Sequence, residues 1–231
     1  FSESVQALSS QADEAGASAM KKYEYLHEKR DLALVKRWGR LAPIARALTS
    51  DPITTRVWAQ GAVGEEVLGR QLSDDFSGKY IVLHDRRIKG TRANIDHMVL
   101  ASSGIWIIDA KRYTGVVERR RARDGSKKQH LFIDGRDRHK LVDGMAFQLD
   151  RVKKVTEDFA DLPLFGVLCF VETSWWSQLP LELEGVLMTR YKWLKPRIES
   201  GSILEDQQLL KIGQRINDSF PPAARGSKSN I

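Results

Sequence analysis

Two aspartates and a lysine stand inside sequence that should exclude charge. Residues 93–101 (Ala-Asn-Ile-Asp-His-Met-Val-Leu-Ala) and 105–112 (Ile-Trp-Ile-Ile-Asp-Ala-Lys-Arg) are rich in β-branched, apolar and aromatic residues and read as strands. Ser102-Ser103-Gly104 between them is a short turn, which predicts an antiparallel hairpin. Alternation puts Asp109 and Lys111 on one face, ~7 Å apart along the strand. A two-residue loop at Ser103-Gly104 would set Asp96 opposite Lys111, whereas a loop at Ser102-Ser103 would set it opposite Asp109. Either register keeps all three groups on one face, because cross-strand partners share a side. A three-residue loop without a bulge would not. The reverse face carries Ile95, His97, Val99, Trp106, Ile108 and Ala110. Both faces are therefore expected to be covered, as in an α/β layered domain.

A buried, unpartnered carboxylate is costly, and a divalent cation held between Asp96 and Asp109 would remove that cost. The competing reading is an Asp–Lys salt bridge bracing a sheet, which leaves the second aspartate unexplained. A further acid comes from residues 61–72, whose apolar spacing predicts a helix despite its glycines. At about 100° per residue, Glu65 points to the side of Trp58, Leu68 and Leu72, and Glu66 to the polar side. Glu65 is thus expected to face the sheet, the alternative being two solvated helix charges.

Taken in order, Gly61-x-x-Gly64-Glu65, Asn94-Ile95-Asp96-His97, Ile108-Asp109-Ala110-Lys111 and Gly115 resemble the nuclease-related domain, a family of the PD-(D/E)xK nucleases. The resemblance covers residues 57–175. It implies a restriction-endonuclease-like core, a mixed central β-sheet flanked by helices. It also implies a Mg²⁺- or Mn²⁺-dependent deoxyribonuclease with DNA as substrate. Glu65 matches the first-helix acid, Asp96 the invariant aspartate, and Asp109 and Lys111 the (D/E)xK pair. Gln148, in Met145-Ala146-Phe147-Gln148-Leu149, resembles the glutamine of the following helix. Two departures stand out: no proline precedes Asp96, and Val152 stands where some relatives place a tyrosine. On this pattern the catalytic set is Glu65, Asp96, Asp109, Lys111 and Gln148, with Asp96, Asp109 and Glu65 as metal ligands.

Positive charge is concentrated just downstream. Between Lys111 and Lys154 there are 14 Lys and Arg against 6 Asp and Glu, a local balance of +8 where the whole chain carries +7. Arg112, Arg119, Arg120, Arg121, Arg123, Lys127 and Lys128 make a basic surface suited to a polyanionic backbone. A solvated hairpin end without a partner is the plainer alternative. Tyr113, Phe132 and Phe147 interleave with these charges and are either base-stacking groups or core.

Other chemistries find no foothold. GxSxG, GxxxxGK[ST], GxGxxG and HExxH patterns are absent from the sequence. His97 alternates away from Asp96 and is read as packed or hydrogen-bonded rather than metal-ligating. The single Cys169 lies in the apolar run 165–171, which excludes an intrachain disulfide and fits a reducing cytoplasm. That run is too short to span a bilayer. Phe1 stands where a start methionine would, as expected of a trimmed chain.

Along the chain, residues 1–16 are expected to be frayed. Residues 17–52 carry a helical pattern, read as an N-terminal extension that either braces the domain or joins a second copy in a homo-oligomer. Residues 53–200 would form the nuclease-related domain, with strands at 79–88, 115–118, 130–134, 165–171 and 185–189 and a helix over 143–160. Residues 201–220 hold a packing C-terminal helix, and 221–231 a flexible tail. Trp175-Trp176 is either a recognition patch or core and lid packing. The functional alternatives to a nuclease are a DNA-binding or targeting module of the same fold, and a scaffold built on the N-terminal helices.

Overall fold

The computed structural model describes residues 53–174 and 176–223, together with residues 4, 5, 8, 24, 25, 28, 29, 32, 33 and 36. Continuous structure begins with helix α1 (Ile53–Phe76), followed by the meander β1 (Ile81–Arg87), β2 (Asn94–Ala101) and β3 (Gly104–Arg112). Next come β4 (Val117–Arg121), β5 (Gln129–Ile133), β6 (Arg136–Asp137) and helix α2 (Lys140–Val155). The chain then runs through β7 (Leu164–Glu172), β8 (Leu181–Leu183), β9 (Val186–Thr189), α3 (Tyr191–Glu199) and α4 (Asp206–Ser219). Six strands form one mixed sheet in the order β1-β2-β3-β7-β9-β8, and β4, β5 and β6 form a separate antiparallel sheet.

The turn after β2 decides how the charged strands meet. Ala101 pairs with Gly104, leaving Ser102-Ser103 as a two-residue loop. Gly104 has φ +137°, and a Cβ there would lie 2.6 Å from the Pro163 carbonyl oxygen. Only glycine meets both conditions. Of the two expected registers the structure therefore takes the one that sets Asp96 against Asp109. Beyond β3 the chain crosses over through the small sheet and α2, and returns as β7, parallel to β3.

Alternation along the strands sorts the core into two layers. Val82, Val99, Trp106, Ile108, Val167 and Cys169 pack with Leu68, Leu72 and Phe76 of α1 and Leu194 and Ile198 of α3. Met98, Leu100, Ile105, Ile107, Leu168 and Phe170 pack with α2 (Val142, Met145, Val152) and α4 (Leu209, Ile212, Ile216). Ile95 belongs to this second layer, not to the reverse face expected of it. A Cβ on Gly166 would lie 2.7 Å from Met145 and Leu149, so its absence lets α2 settle directly on β7.

The structure departs from expectation at several points. Val5 and Leu8, inside the stretch expected to be frayed, are helical and buried in the core. Residues 221–223, expected to begin a flexible tail, line the free edge of β1: Arg87 N donates to Pro221 O at 2.9 Å and Ala223 N to Asp85 O at 2.9 Å. Covering that edge satisfies backbone groups that water or another chain would otherwise have to meet. Helix α2 stops at Val155, where Thr156 turns its hydroxyl back onto Val152 O at 2.9 Å. Helix α3 was not anticipated, because Pro196 lies inside it. Between 24 and 36 the described residues are helical and exposed; the rest of the N-terminal extension lies outside the described residues, as does 224–231. Among the described residues no helix is long and apolar enough to cross a membrane.

Candidate active site

Backbone pairing of β2 with β3 ends at His97 and Ile108. At the next position the Ala110 amide donates to the Asp96 side chain, Oδ2 at 3.1 Å, in place of a ladder bond. Asp96 and Asp109 thus face each other where the hydrogen-bonded sheet stops, and the Asp109 charge acts on the Asp96 carboxyl. On the other side of β3, its pairing with β7 slips between Lys111 and Arg112. Such irregularities re-aim side chains at sheet ends. The Lys111 ammonium donates to Asp109 Oδ1.

These groups are electrostatically strained. Burial drives the Asp96 carboxyl well above the usual carboxylate range, and the charges of Asp109 and Glu65 push it further. Burial alone would lower the Lys111 ammonium, but Asp109 and Asp96 outweigh that and hold it above the ordinary lysine range. Among the described residues Lys111 is the cation whose charge opposes these acids. The site therefore favours protons, or another positive charge, more than isolated carboxylates do.

The helix periodicity separates the two neighbouring glutamates as expected. Glu66 is exposed and pairs with Arg70 at 2.7 Å, one turn away. Glu65 is half-buried, and its carboxyl is pushed up to about 7, first by desolvation and then by Asp109 and Asp85. Leu68 and Leu72 are fully buried on its side; the Trp58 side chain lies outside the described residues. Glu65 joins Asp96 and Asp109 through their mutual repulsion, but the three do not bring one oxygen each within 4.8 Å of one another. Gln148 lies on the buried face of α2, and its Oε1 has no hydrogen-bond partner among the described residues. No described hydrogen bond joins it to the acids.

Residues 60–171 match the family model described as the nuclease-related domain. The chain carries a nuclease-related domain. No curated protein and no solved structure matches it. All five residues of the expected catalytic set fall inside the matched segment.

The nuclease-related domain also contains the basic hairpin. Arg119, Arg120, Arg121, Arg123, Lys127 and Lys128 are all exposed on β4 and its turn into β5. Arg120 pairs with Glu118 at 2.6 Å and Arg123 donates to Gly135 O at 3.0 Å. Arg112 is less available, pairing with Glu172 at 3.1 Å. Phe132 is buried beneath the guanidinium groups of Arg120 and Arg123, so it is core and not a stacking surface. His97 is buried as expected, in a chain from Ser73 Oγ through His84 at 2.9 Å to His97 at 2.9 Å. Desolvation, with Arg86 adding, pushes His84 down to about 4.

Two features of the structure escaped the sequence. Asp85, buried in β1 with φ +47°, stands across from Asp96 and adds its charge to Glu65. It accepts from Asn94 Nδ2 at 3.0 Å. Elsewhere, His139 before α2, Asp143 in its first turn and Glu184 in the β8–β9 turn bring one ligand atom each within 4.8 Å. Among the described residues they are the one such group, and both acids are exposed.

Proposed function

We propose that the nuclease-related domain is a Mg²⁺- or Mn²⁺-dependent deoxyribonuclease that hydrolyses phosphodiester bonds by water attack. The observation that carries this reading is the juxtaposition of Asp96 and Asp109 beside Lys111, with the Asp96 carboxyl pushed upward by burial and by its acidic neighbours. The donor set fits the group: carboxylate oxygens suit a hard divalent cation, which would offset their mutual repulsion. Asp96 and Asp109 would hold the ion, and Glu65 would join directly, through a bound water or at a second ion. When bound, the ion polarises the phosphate and lowers the pKa of water.

Asp109 orients Lys111 through their ion pair. Its raised proton affinity keeps Lys111 an ammonium at neutral pH, which suits it to orient the attacking water and stabilise negative charge on the pentacovalent phosphorus, not to act as a free base. The exposed arginines and lysines of the β4–β5 hairpin would meet the DNA backbone. Gln148, with its unpartnered Oε1, would supply a further polar contact at the site.

A second reading, a DNA-binding module without catalysis, is favoured by the internal partners already in place. Lys111 occupies one oxygen of Asp109, the Ala110 amide one of Asp96, and the three acids do not close on a common point. A plasmid-nicking assay with Mg²⁺ or Mn²⁺ separates the two. Nicking by the wild type that is lost in Asp109→Ala and Lys111→Ala supports the nuclease. DNA retention without cutting under either metal overturns it and leaves the binding module.

A further inference from the structure

Trp176 is 86% exposed, more than any other large apolar side chain among the described residues. An indole left in water forfeits the burial that normally fixes a tryptophan, yet Thr173, Ser174, Ser177 and Gln178 around it are hydrogen-bonded in place. Arg190 grips the start of that loop, donating from Nε to Thr173 Oγ1 at 2.9 Å and from Nη2 to Ser174 O at 2.8 Å. Its far side is stitched along the free edge of β4. Ser174 N donates to Gly115 O at 3.2 Å and Gln178 N to Val117 O at 2.8 Å. Returning bonds run from Val117 N to Ser177 Oγ at 3.0 Å and from Arg119 N to Gln178 Oε1 at 2.9 Å. The indole therefore stands on a braced mount, and that mount ends where Arg119, Arg120 and Arg121 begin.

The position of Trp176 matters as much as these bonds. Its loop leaves β7 just after Glu172, and β7 runs parallel to β3 with Phe170 beside Lys111 and Glu172 beside Arg112. Trp176 and Lys111 are thus at the same end of the main sheet, with the basic strand between them in sequence. Cationic side chains meet phosphates; a flat, exposed aromatic beside them meets a base face. In a duplex those faces are stacked on one another, and only the edges are open in the grooves.

We propose that Trp176 stacks on an unpaired base of a nucleic acid strand whose backbone lies along the β4–β5 arginines and lysines. The proposal deepens the nuclease reading, because it rests on nucleic acid being the substrate, and it names the strand state engaged: single-stranded or locally opened.

The test is fluorescence anisotropy with a labelled twelve-nucleotide oligo-dT and a labelled duplex of equal length, in EDTA and low salt, using the full chain. Trp176→Ala should weaken oligo-dT binding about 5- to 100-fold, from the stacking strength of one aromatic, with the salt slope unchanged. Trp176→Phe should recover most of that loss, and duplex affinity should move less than about twofold. Unchanged thermal unfolding of Trp176→Ala checks that the loop still folds. Equal oligo-dT affinity for wild type and Trp176→Ala overturns the stacking while leaving salt-dependent binding, and so the substrate reading, intact. An equal loss on duplex and single strand overturns the claim for unpaired bases. If the wild type binds neither probe, both readings fall together.

Discussion

Two carboxylate clusters in this molecule have opposite characters. Asp143 and Glu184 gather tightly around His139, within 4.8 Å, at the exposed start of α2. Glu65, Asp96 and Asp109 spread more widely around Lys111, but burial and mutual repulsion drive Asp96 and Glu65 upward. Proximity alone is cheap for exposed acids: water screens their charges, and the Glu184 side chain is 56% accessible. At the sheet end Asp109 is buried and Asp96 and Glu65 are half-buried, so the missing charge must come more from protons or from a cation. Burial distinguishes the two clusters more than spacing does.

Asp96→Ala or Asp109→Ala should reduce plasmid nicking on the order of 10³-fold or more. Lys111→Ala should cost roughly 10²- to 10³-fold, the usual loss of one transition-state stabiliser. His139→Ala with Glu184→Ala should leave nicking within about twofold of wild type. A loss in the second cluster matching the first would invert the assignment.

Proton uptake sharpens the same contrast. Because burial and acidic neighbours raise the proton affinity of Asp96 and Glu65, Mn²⁺ binding at pH 6 should release protons and be weaker than at pH 8. Calorimetric titration in two buffers of different ionisation enthalpy measures that release directly. Binding that is equally tight at both pH values, without proton release, would contradict it.

Stability without metal follows with a definite sign. Glu65 titrates near 4.5 when unfolded and about 7 when folded, so the folded state holds the extra proton between those values. Its contribution to stability therefore falls as pH rises through that window. His84 runs the other way: it is near 6.5 unfolded and about 4 folded, so stability falls as pH drops through that range, on the order of 3 kcal/mol in all. Metal-free Glu65→Gln should melt higher than wild type at pH 8 and alike at pH 4.5, as followed by thermal unfolding.

How much of this was legible in the residues differs between the clusters. Asp96, Asp109 and Lys111 could be placed on one face from strand alternation and a short turn, although two registers stayed open until the Gly104 backbone chose between them. Helical periodicity separated Glu65 from Glu66. Asp85 could not be found that way, because a positive φ interrupts the alternation of β1. Nor could Glu184, which reaches His139 only after the chain has crossed β7 and turned from β8 into β9. Val5 and Leu8 were hidden as isolated apolar residues in polar sequence.

The smallest expected effect lies on the surface. Arg121→Ala or Lys127→Ala should weaken DNA binding modestly and lower the salt slope by about 0.9 for each charge removed, read from anisotropy at several salt concentrations. An unchanged slope would leave the hairpin a solvated surface.

Diffraction from crystals soaked in Mn²⁺ tests the account most directly, because the anomalous signal marks the ion without assumption. A peak between Asp96 and Asp109, absent in Asp109→Ala, is the result expected. A peak confined to His139, Asp143 and Glu184 would contradict it, as would an empty map beside an intact Lys111–Asp109 pair.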